Sequence, residues 1–384
     1  MNAQVLFVIP TLKKLGGAER VFMSYVEHLK NCEPYIVCIF ANDCREKCVH
    51  GRRCESLNVQ NHWPLALQLL LGSYRLASLT RRQQFAGIVS FLTFANVISI
   101  LAKFASKSKC KVIINVHDIM SNLVNYTKLK NYQKRLLFLF IRLLYRHADA
   151  IIAVCEGVKR DLVEYFGVPI DKVTVIHNPI DIEQIHRLAA EPVMDILDDN
   201  KNYYLIVAVG RLAKVKGFDI LIQAVARLIK ELDVRLIIIG DGEERSNLLR
   251  LTKELRVDGV VCFLGWQSNP WKYMARADVF VLSSLVEGFP NVIGEAMALG
   301  LPVLATNCSP GVRELLEDGK SGLLVPAGDP EALAEGIARV LSDEGLRQEL
   351  AQRGRQRVAQ FDLPKVIMLY EDVLLRLLHK GRHN

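Results

Sequence analysis

Short apolar runs that alternate with amphipathic helical segments constrain the fold of this chain more than any other feature. The segment AERVFMSYVEHLK, for example, places Val21, Phe22, Tyr25, Val26 and Leu29 on one side of a helix. The apolar runs predict strands: QVLFVI, YIVCIF, GIVSFL, KVIINV and AIIAV in the first half, and YYLIVAVG, VRLIIIG, VVCFLG, VFVLS, PVLAT and GLLVP in the second. Because unbroken apolar strands need helices on both faces, the sequence predicts an α/β fold with parallel sheets.

The length of the chain predicts more than one domain. Its 384 residues exceed the size at which a single core stops growing. A polar stretch with two prolines, residues 177–202, separates the two sets of strands. We expect two doubly wound Rossmann-like domains facing each other across a cleft, at residues 1–180 and 181–361. The final helix, within residues 362–384, is expected to cross back to the first domain.

Charge is distributed unevenly between the two halves. Residues 1–180 contain 24 Lys and Arg against 12 Asp and Glu, whereas residues 181–384 contain 25 against 29. A basic first half favours an anionic partner, which could be nucleic acid, a membrane surface or an acidic substrate. Because the chain has no zinc-finger spacing, no RNP-like aromatic motif and no basic heptad helix, no nucleic acid partner is expected.

The hydropathy pattern predicts no membrane-spanning segment. No apolar stretch of eighteen residues is free of charge. The first apolar run ends at Pro10 and follows no basic leader, which favours a strand over a signal peptide. These features predict a cytoplasmic protein.

Three cysteines, Cys44, Cys48 and Cys54, cluster near His50 and His62. Their spacing gives no C-x-x-C pair, and no such pair follows later in the chain. We therefore expect reduced thiols on a loop rather than a metal site.

Glycine turns that follow predicted strands are candidate phosphate sites, because ligands bind outside the carboxyl ends of parallel strands. Gly16 and Gly17 open a helix, so their backbone N–H groups could face a phosphate, although a merely flexible turn has the same composition.

Arg211 and Lys216 lie in the turn VGRLAKVKGFD. Two fixed cations there suit a diphosphate, and a solvated basic loop is the alternative.

His117 ends the predicted strand KVIINV and is expected at the same kind of edge. A buried structural histidine is the alternative.

Two carboxylates, Glu287 and Glu295, flank the junction between a strand and a helix in EGFPNVIGEA. The residues Phe289 to Val292 would place backbone N–H groups at the helix N-terminus, with Asn291 as the N-cap. A phosphate could bind there while the two carboxylates accept hydrogen bonds from neutral hydroxyls. A nucleotide sugar supplies both kinds of group, since it has ribose and hexose hydroxyls on either side of a diphosphate.

The stretch EGFPNVIGE resembles the Glu-x7-Glu signature of family 4 retaining glycosyltransferases, which have the GT-B fold. Its setting between ADVFVLSS and AMALGLPVLAT is typical of that family, and the resemblance continues through GGAER, the HD pair, HNPID, GRLAKVKG and GLLVPAGD. The resemblance implies a transferase of the bacterial envelope polysaccharide type. It implies no metal and no cofactor.

Residue roles follow from this resemblance. The catalytic group would comprise His117, which orients the sugar, Glu287, which binds its hydroxyls, and the diphosphate ligands Arg211 and Lys216. The residues that bind the nucleotide sugar would be Gly16, Gly17, Phe289, Asn291, Val292 and Glu295, with Glu295 on the ribose.

The resemblance also bears on the substrates. The EGFPN version is typical of enzymes that use UDP-sugars, so transfer of a hexose or N-acetylhexosamine from a UDP-sugar is favoured. The alternatives are a mannosyltransferase that uses GDP-mannose, and an epimerase or binding protein on the same fold. The order of residues in TNCSPGVREL departs from the Pro-Ser-Gly of some relatives, which leaves the sugar open. Gly294 stands where relatives usually have a larger apolar residue, which predicts loose packing.

The segment NYQKRLLFLFIRLLYRHA places Arg135, Arg142 and Arg146 along one helical stripe, beside Phe138, Leu139 and Leu143. A basic and apolar stripe predicts docking of the first domain on an anionic membrane surface, at the inner face of the cytoplasmic membrane. A lipid-linked or lipopolysaccharide glycan would then be the acceptor. The alternative is a core helix whose exposed face carries three arginines.

Overall fold

The computed structural model describes residues 3–12, 16–41, 54–106, 109–121, 131–193 and 202–379. The chain divides into two compact units. Unit 1 consists of Met1–Pro179 and Pro364–Asn384, and unit 2 of Ile180–Leu363.

Unit 1 is built on a parallel sheet with the strand order β3-β2-β1-β4-β5-β6-β7. Its central strands are apolar on both faces, and Val5 to Ile9 have no exposed surface. The strands are β1 Ala3–Ile9, β2 Cys32–Phe40, β3 Cys54–Val59, β4 Gly87–Phe91, β5 Lys111–Val116, β6 Ala150–Ala153 and β7 Val173–Val175.

Unit 2 has a second parallel sheet, with the order β10-β9-β8-β11-β12-β13. Its strands are β8 Tyr204–Val209, β9 Val234–Ile239, β10 Val261–Gly265, β11 Val279–Leu282, β12 Val303–Thr306 and β13 Leu323–Val325. Both sheets are doubly wound, since the strand order reverses once in each. The predicted fold class, two Rossmann-like α/β domains, is confirmed.

Helices cover these sheets. Those before unit 2 are α1 Gly17–His28, α2 Leu65–Arg82, α3 Thr93–Ser106, α4 Asn131–Leu144 and α5 Glu156–Arg160. Those of unit 2 are α6 Ile182–Ala189, α7 Phe218–Leu228, α8 Arg245–Glu254, α9 Trp271–Met274, α10 Asn291–Ala298, α11 Pro310–Leu315, α12 Pro330–Ser342 and α13 Glu344–Val358. The last described helix is α14, Leu363–His379. Within the described ranges, no helix is both long and apolar enough to cross a bilayer.

Helix α14 packs on unit 1. The ring of Tyr370 stacks on that of Tyr25, with a distance of 3.9 Å between the ring centroids. The Tyr370 hydroxyl donates a hydrogen bond to Asn115 Oδ1 at 3.1 Å. The carboxylate of Glu371 accepts hydrogen bonds from the backbone N–H and the side-chain amide of Asn31, at 2.9 and 2.7 Å. The end of the described chain is therefore part of the core of unit 1.

The cysteine cluster differs from the sequence prediction. Cys54, at the start of β3, is disulfide-bonded, so the prediction of reduced thiols was wrong for this residue. Cys44, Cys48 and His50 lie outside the described residues.

Candidate active site

The strand order of unit 2 reverses between β8 and β11, and the loops that follow these two strands lie side by side. The backbone N–H of Leu285 donates to the carbonyl of Val215 at 2.8 Å. The Ser283 hydroxyl donates to the carbonyl of Lys216 at 2.9 Å. The reversal point of a doubly wound sheet is where such folds bind ligands. The loops that carry Lys216 and Glu287 thus meet at the expected place.

Gly217 allows this close approach. Its φ is +61°, and a Cβ atom at this position would lie 2.2 Å from the carbonyl oxygen of Ser283. Any other residue would push the two loops apart and would be strained in the left-handed region. Gly217 therefore fixes Lys216 against the loop after β11.

Lys216 and Glu287 form an ion pair, with 2.5 Å between Lys216 Nζ and Glu287 Oε1. The Ser284 hydroxyl donates to the same oxygen at 2.6 Å. The Glu287 side chain is 10% exposed and that of Lys216 is 25% exposed, so water screens the pair only in part. Both donors act on Oε1, which holds the carboxylate in one orientation. The sequence predicted both residues as site residues but did not predict their pairing.

Arg211 directly follows Gly210 at the carboxyl end of β8 and is exposed. The backbone N–H of its neighbour Leu212 donates to the carbonyl of Asp241 at 3.0 Å, which fixes the turn. Arg211 and Lys216 thus border one turn at the reversal point. That both bind a diphosphate stays a prediction.

Helix α10 begins at Asn291, and its N-cap residue is Pro290. The prediction that Asn291 caps the helix was therefore wrong, because this residue already has helical geometry. Phe289, which is 7% exposed, packs with its ring edge-on to Phe361, 5.8 Å between the ring centroids. The helix itself offers no acceptor for the N–H groups of its first turn, which includes Asn291 and Val292.

Gly294 lies in a tight part of α10. A Cβ atom there would be 2.9 Å from Cδ1 of Ile180. The prediction of loose packing was wrong, because the Ile180 side chain occupies the space that a larger residue would take. Ile180 is 3% exposed and pairs in a parallel bridge with Asp362.

Glu295 lies in the second turn of α10, and its carboxylate is bound by an indole. Trp271 Nε1 donates to Glu295 Oε2 at 2.9 Å. Trp271 opens α9 and is 9% exposed. This contact could not be predicted from the sequence, because the two residues belong to different strand-to-helix units.

Cys308 is a further residue of the site that the sequence did not indicate. Burial raises the pKa of its thiol to about 11, and the negative charge of Glu287 acts in the same direction. The thiol is therefore protonated at neutral pH and lies within electrostatic reach of the Lys216–Glu287 pair. Its position in the sequence, two residues after the apolar run that forms β12, could have indicated Cys308, because ligands bind at the carboxyl ends of parallel strands.

His117 directly follows β5 in unit 1 and is 9% exposed. Its ring stacks on Phe91, with 5.6 Å between the ring centroids. Neither ring nitrogen has a hydrogen-bond partner among the described residues. Burial lowers the pKa of His117 to about 4, so the imidazole is neutral at pH 7. A buried, unpaired and neutral imidazole suits a group that hydrogen-bonds to a ligand.

The stability of the protein should depend on pH through His117. Because the folded pKa is about 4 and the ordinary value 6.5, the unfolded chain binds the proton first as pH falls. The stabilisation that neutral His117 allows is complete above pH 6.5 and is lost as pH falls towards 4. Between pH 7.5 and 5.0 we expect the wild type to lose about 2 kcal/mol more unfolding free energy than His117→Gln. Urea unfolding at both values measures this, and equal losses would show that His117 titrates normally.

Gly16 and Gly17 occupy the N-terminus of α1, where Gly16 is the N-cap residue. A Cβ atom at Gly17 would meet no described atom within 4 Å. Packing within the described residues thus does not require glycine at this position. The contact of both glycines with a diphosphate stays a prediction.

Comparison with known proteins gives the family. The model of Glycosyltransferase Family 4 matches residues 15–184, and that of Glycosyl transferases group 1 matches residues 191–357. An N-acetylgalactosamine-N,N'-diacetylbacillosaminyl-diphospho-undecaprenol 4-alpha-N-acetylgalactosaminyltransferase of Campylobacter jejuni is 35% identical over 276 residues, 72% of each chain. A second Campylobacter jejuni protein, a GalNAc-alpha-(1->4)-GalNAc-alpha-(1->3)-diNAcBac-PP-undecaprenol alpha-1,4-N-acetyl-D-galactosaminyltransferase, is 27% identical and covers 94% of this chain and 96% of its own length.

Solved structures give the same fold. The crystal structure of Anabaena HepE in complex with UDP has a TM-score of 0.76 at 23% identity, and the match covers 97% of this chain and 99% of that one. The two Rossmann-like domains of this chain therefore have the GT-B fold. More narrowly, the chain belongs to glycosyltransferase family 4, as its resemblance predicted, and it is a transferase enzyme.

Proposed function

We propose that this enzyme transfers a hexose or N-acetylhexosamine from a UDP-sugar to a lipid-linked or lipopolysaccharide glycan, in the synthesis of a bacterial envelope polysaccharide. The Lys216–Glu287 pair at the reversal point of unit 2 is the observation that carries this proposal. UDP as the leaving group is supported by the UDP complex of HepE. A lipid-linked acceptor is supported by the two Campylobacter relatives, whose names specify undecaprenol-linked glycans.

The Lys216–Glu287 pair can serve both parts of a nucleotide sugar. A lysine ammonium has three N–H donors, so Lys216 can bind Glu287 and still donate to phosphate oxygens. Lys216 and Ser284 both bind Oε1 of Glu287, so Oε2 would be the oxygen that accepts hydrogen bonds from sugar hydroxyls. We assign the diphosphate to Lys216 and Arg211, and the sugar hydroxyls to Glu287 beside Phe289.

The remaining predicted site residues have supporting roles in this proposal. The first turn of α10, with Asn291 and Val292, would donate N–H groups to the donor. Glu295 would bind the ribose. Gly16 and Gly17 would approach the diphosphate, and neutral His117 would orient the sugar.

Two cations at the site, Arg211 and Lys216, support our proposal that transfer needs no metal ion. Arg211, Lys216 and the positive end of α10 can stabilise the negative charge that develops on the leaving diphosphate. We propose retention of configuration by a front-face route, in which a donor phosphate oxygen accepts the proton of the acceptor hydroxyl as the bond to the leaving group breaks. In that route Glu287 positions the sugar and forms no covalent bond to it.

A panel of donors tests this function. The purified protein is incubated with UDP- and GDP-sugars, with and without EDTA, and release of nucleoside diphosphate is measured. We expect slow hydrolysis of a UDP-hexose or UDP-N-acetylhexosamine that EDTA leaves unchanged. Preference for GDP-mannose would replace the UDP-sugar with the alternative donor. Loss of activity in EDTA, restored by Mn²⁺ or Mg²⁺, would refute metal independence. A nucleotide sugar converted to its epimer without release of nucleotide would refute transfer.

We also propose that unit 1 binds an anionic membrane surface through α4. Its outward side carries Tyr132, Leu136, Leu139 and Leu143, of which Leu139 and Leu143 are 50% and 52% exposed. The opposite side is internal, since Ile141 is 2% exposed and Phe138 packs on Phe166 with 4.5 Å between the ring centroids. Exposed leucines on a helix that contains no Asp or Glu suit the interface of an anionic bilayer.

Arginines surround this apolar side. Arg135 and Arg142 are exposed on α4, and exposed Arg146 lies in the short 3-10 helix Tyr145–His147. Arg146 therefore does not continue the α-helical stripe that the sequence predicted. All three still contribute positive charge close to the leucines, which favours a lipid surface over an apolar protein partner.

Removal of these charges should weaken membrane binding. Each arginine near an anionic surface contributes about 1 kcal/mol, so replacing Arg135, Arg142 and Arg146 by Gln should reduce vesicle binding roughly a hundredfold. Co-sedimentation with anionic and neutral vesicles at low and physiological salt measures this. The matched control replaces three exposed cations of unit 2, Lys230, Arg250 and Lys253, by Gln. If both triple variants bind alike, or if the wild type stays in the supernatant at low salt, α4 is not the docking surface.

A further inference from the structure

The loop between β10 and α9 holds the second carboxylate of the site. Trp271 Nε1 lies 2.9 Å from Glu295 Oε2 and donates a hydrogen bond to it. An indole N–H is only a donor, so this bond favours the ionised carboxylate and fixes one of its oxygens. A glutamate on the surface of a helix has several rotamers. With Oε2 bound to a buried indole, the Glu295 side chain has far fewer.

Trp271 is itself held in place. Asn269, two residues before it, donates through Nδ2 to the carbonyl of Leu188 at 2.8 Å and to Glu191 Oε2 at 2.9 Å. These contacts bind the loop to the end of α6. The same helix supports α10, since His186 Nε2 lies 2.8 Å from the carbonyl oxygen of Ala298. The indole and the helix that carries Glu295 are therefore fixed to a common support.

We propose that Trp271 is a positioning residue for nucleoside recognition: its indole orients Glu295 so that the carboxylate accepts hydrogen bonds from the vicinal hydroxyls of the donor ribose. The inference rests on the proposed function, because it takes a nucleoside diphosphate as the ligand of this site. Bidentate binding of a diol requires both oxygens of a carboxylate in a defined plane, and a rotating Glu295 would meet this condition only part of the time. The contribution of Trp271 is thus to affinity for the ribose rather than to the chemical step.

Binding of UDP and of 2′,3′-dideoxy-UDP isolates this role. The two ligands differ only in the ribose hydroxyls, so the ratio of their dissociation constants measures recognition of those hydroxyls. Hydrogen bonds to a charged group contribute about 1.5–3 kcal/mol, so we expect the wild type to prefer UDP by roughly 10- to 100-fold. Trp271→Phe keeps an aromatic ring but removes the N–H, and the ratio should fall to roughly threefold or less. A purely structural role of Trp271 would weaken both ligands equally and leave the ratio unchanged.

Trp266 provides the matched control. It belongs to the same loop, and its side chain is 64% exposed. Trp266→Phe therefore makes the same chemical change without affecting the bond to Glu295. We expect this variant to keep the wild-type ratio, whatever its effect on overall affinity.

A spectroscopic measurement on the wild type does not depend on how Trp271→Phe folds. The chain has three tryptophans, so its ¹H–¹⁵N spectrum contains three indole signals, which Trp266→Phe and Trp63→Phe assign. UDP should shift the Trp271 signal more than dideoxy-UDP does. An equal shift, or a Trp271→Phe variant with the wild-type ratio, would refute the positioning role alone. If the wild type binds UDP and dideoxy-UDP equally, Glu295 does not bind the ribose, and that assignment fails together with the inference.

Discussion

Lys216→Ala should lower kcat by roughly 30- to 1000-fold, because it removes about 2–4 kcal/mol of transition-state stabilisation from a leaving group whose negative charge increases. The substitution also leaves Glu287, only 10% exposed, without its cation. Arg211 is exposed and serves the diphosphate alone in our proposal, so Arg211→Ala should have the smaller effect of the two. Steady-state transfer or donor hydrolysis measures both variants.

Lys214 offers the matched control for this prediction, because it is exposed and lies in the same short helix, Lys214–Lys216. Lys214→Ala should keep kcat within about twofold of the wild type. In a double-mutant cycle, Lys216→Ala and Glu287→Gln should be strongly non-additive, since the residues form one pair. Near-normal rates for both Lys216→Ala and Arg211→Ala would show that the diphosphate binds elsewhere.

The two glutamates should have separable effects. Glu295→Gln is expected to weaken binding of free UDP by about 10-fold or more, because it removes the charge from the acceptor of the ribose hydroxyls. Glu287→Gln should leave UDP binding within about threefold, since free UDP lacks the transferred hexose whose hydroxyls this residue would bind. Its kcat for transfer should nevertheless fall by roughly 100-fold. Calorimetry with UDP and a transfer assay measure the two effects.

Glu335, exposed on α12, controls for the loss of a single carboxylate. Glu335→Gln should change neither quantity. If Glu287→Gln and Glu295→Gln weaken UDP binding to the same extent, the two carboxylates do not divide the ligand between ribose and sugar.

The central strands could be predicted from the sequence because burial on both faces leaves a continuous apolar run. This holds for β1, β5, β8 and β11, which form the middle of their sheets. Two strands that were not predicted from the sequence, β3 and β7, lie at the two edges of the sheet of unit 1. Burial alternates along part of β3, and β7 has only three residues, so neither has an apolar run to detect.

The site could be predicted only as far as local sequence determines it. Glu287 and Glu295 fall within one strand-to-helix junction, and the family resemblance rests on their spacing. The partners of these carboxylates, Lys216 and Trp271, come from other junctions, and only the folded sheet brings them near. The errors at Asn291 and Gly294 have local causes. Pro290 takes the capping position, and Ile180, distant in sequence, fills the space beside the glycine.

The stacking of Tyr370 on Tyr25 has a consequence for synthesis of the chain. Unit 1 is assembled from two pieces, and α14 is translated only after the whole of unit 2. Because domains fold as they leave the ribosome, unit 2 can complete its core first, while Tyr25 and Asn115 still await their partner. Unit 1 therefore reaches its final packing only after α14 has been translated, so premature termination just after Leu363 would leave an intact unit 2 attached to an unfinished unit 1.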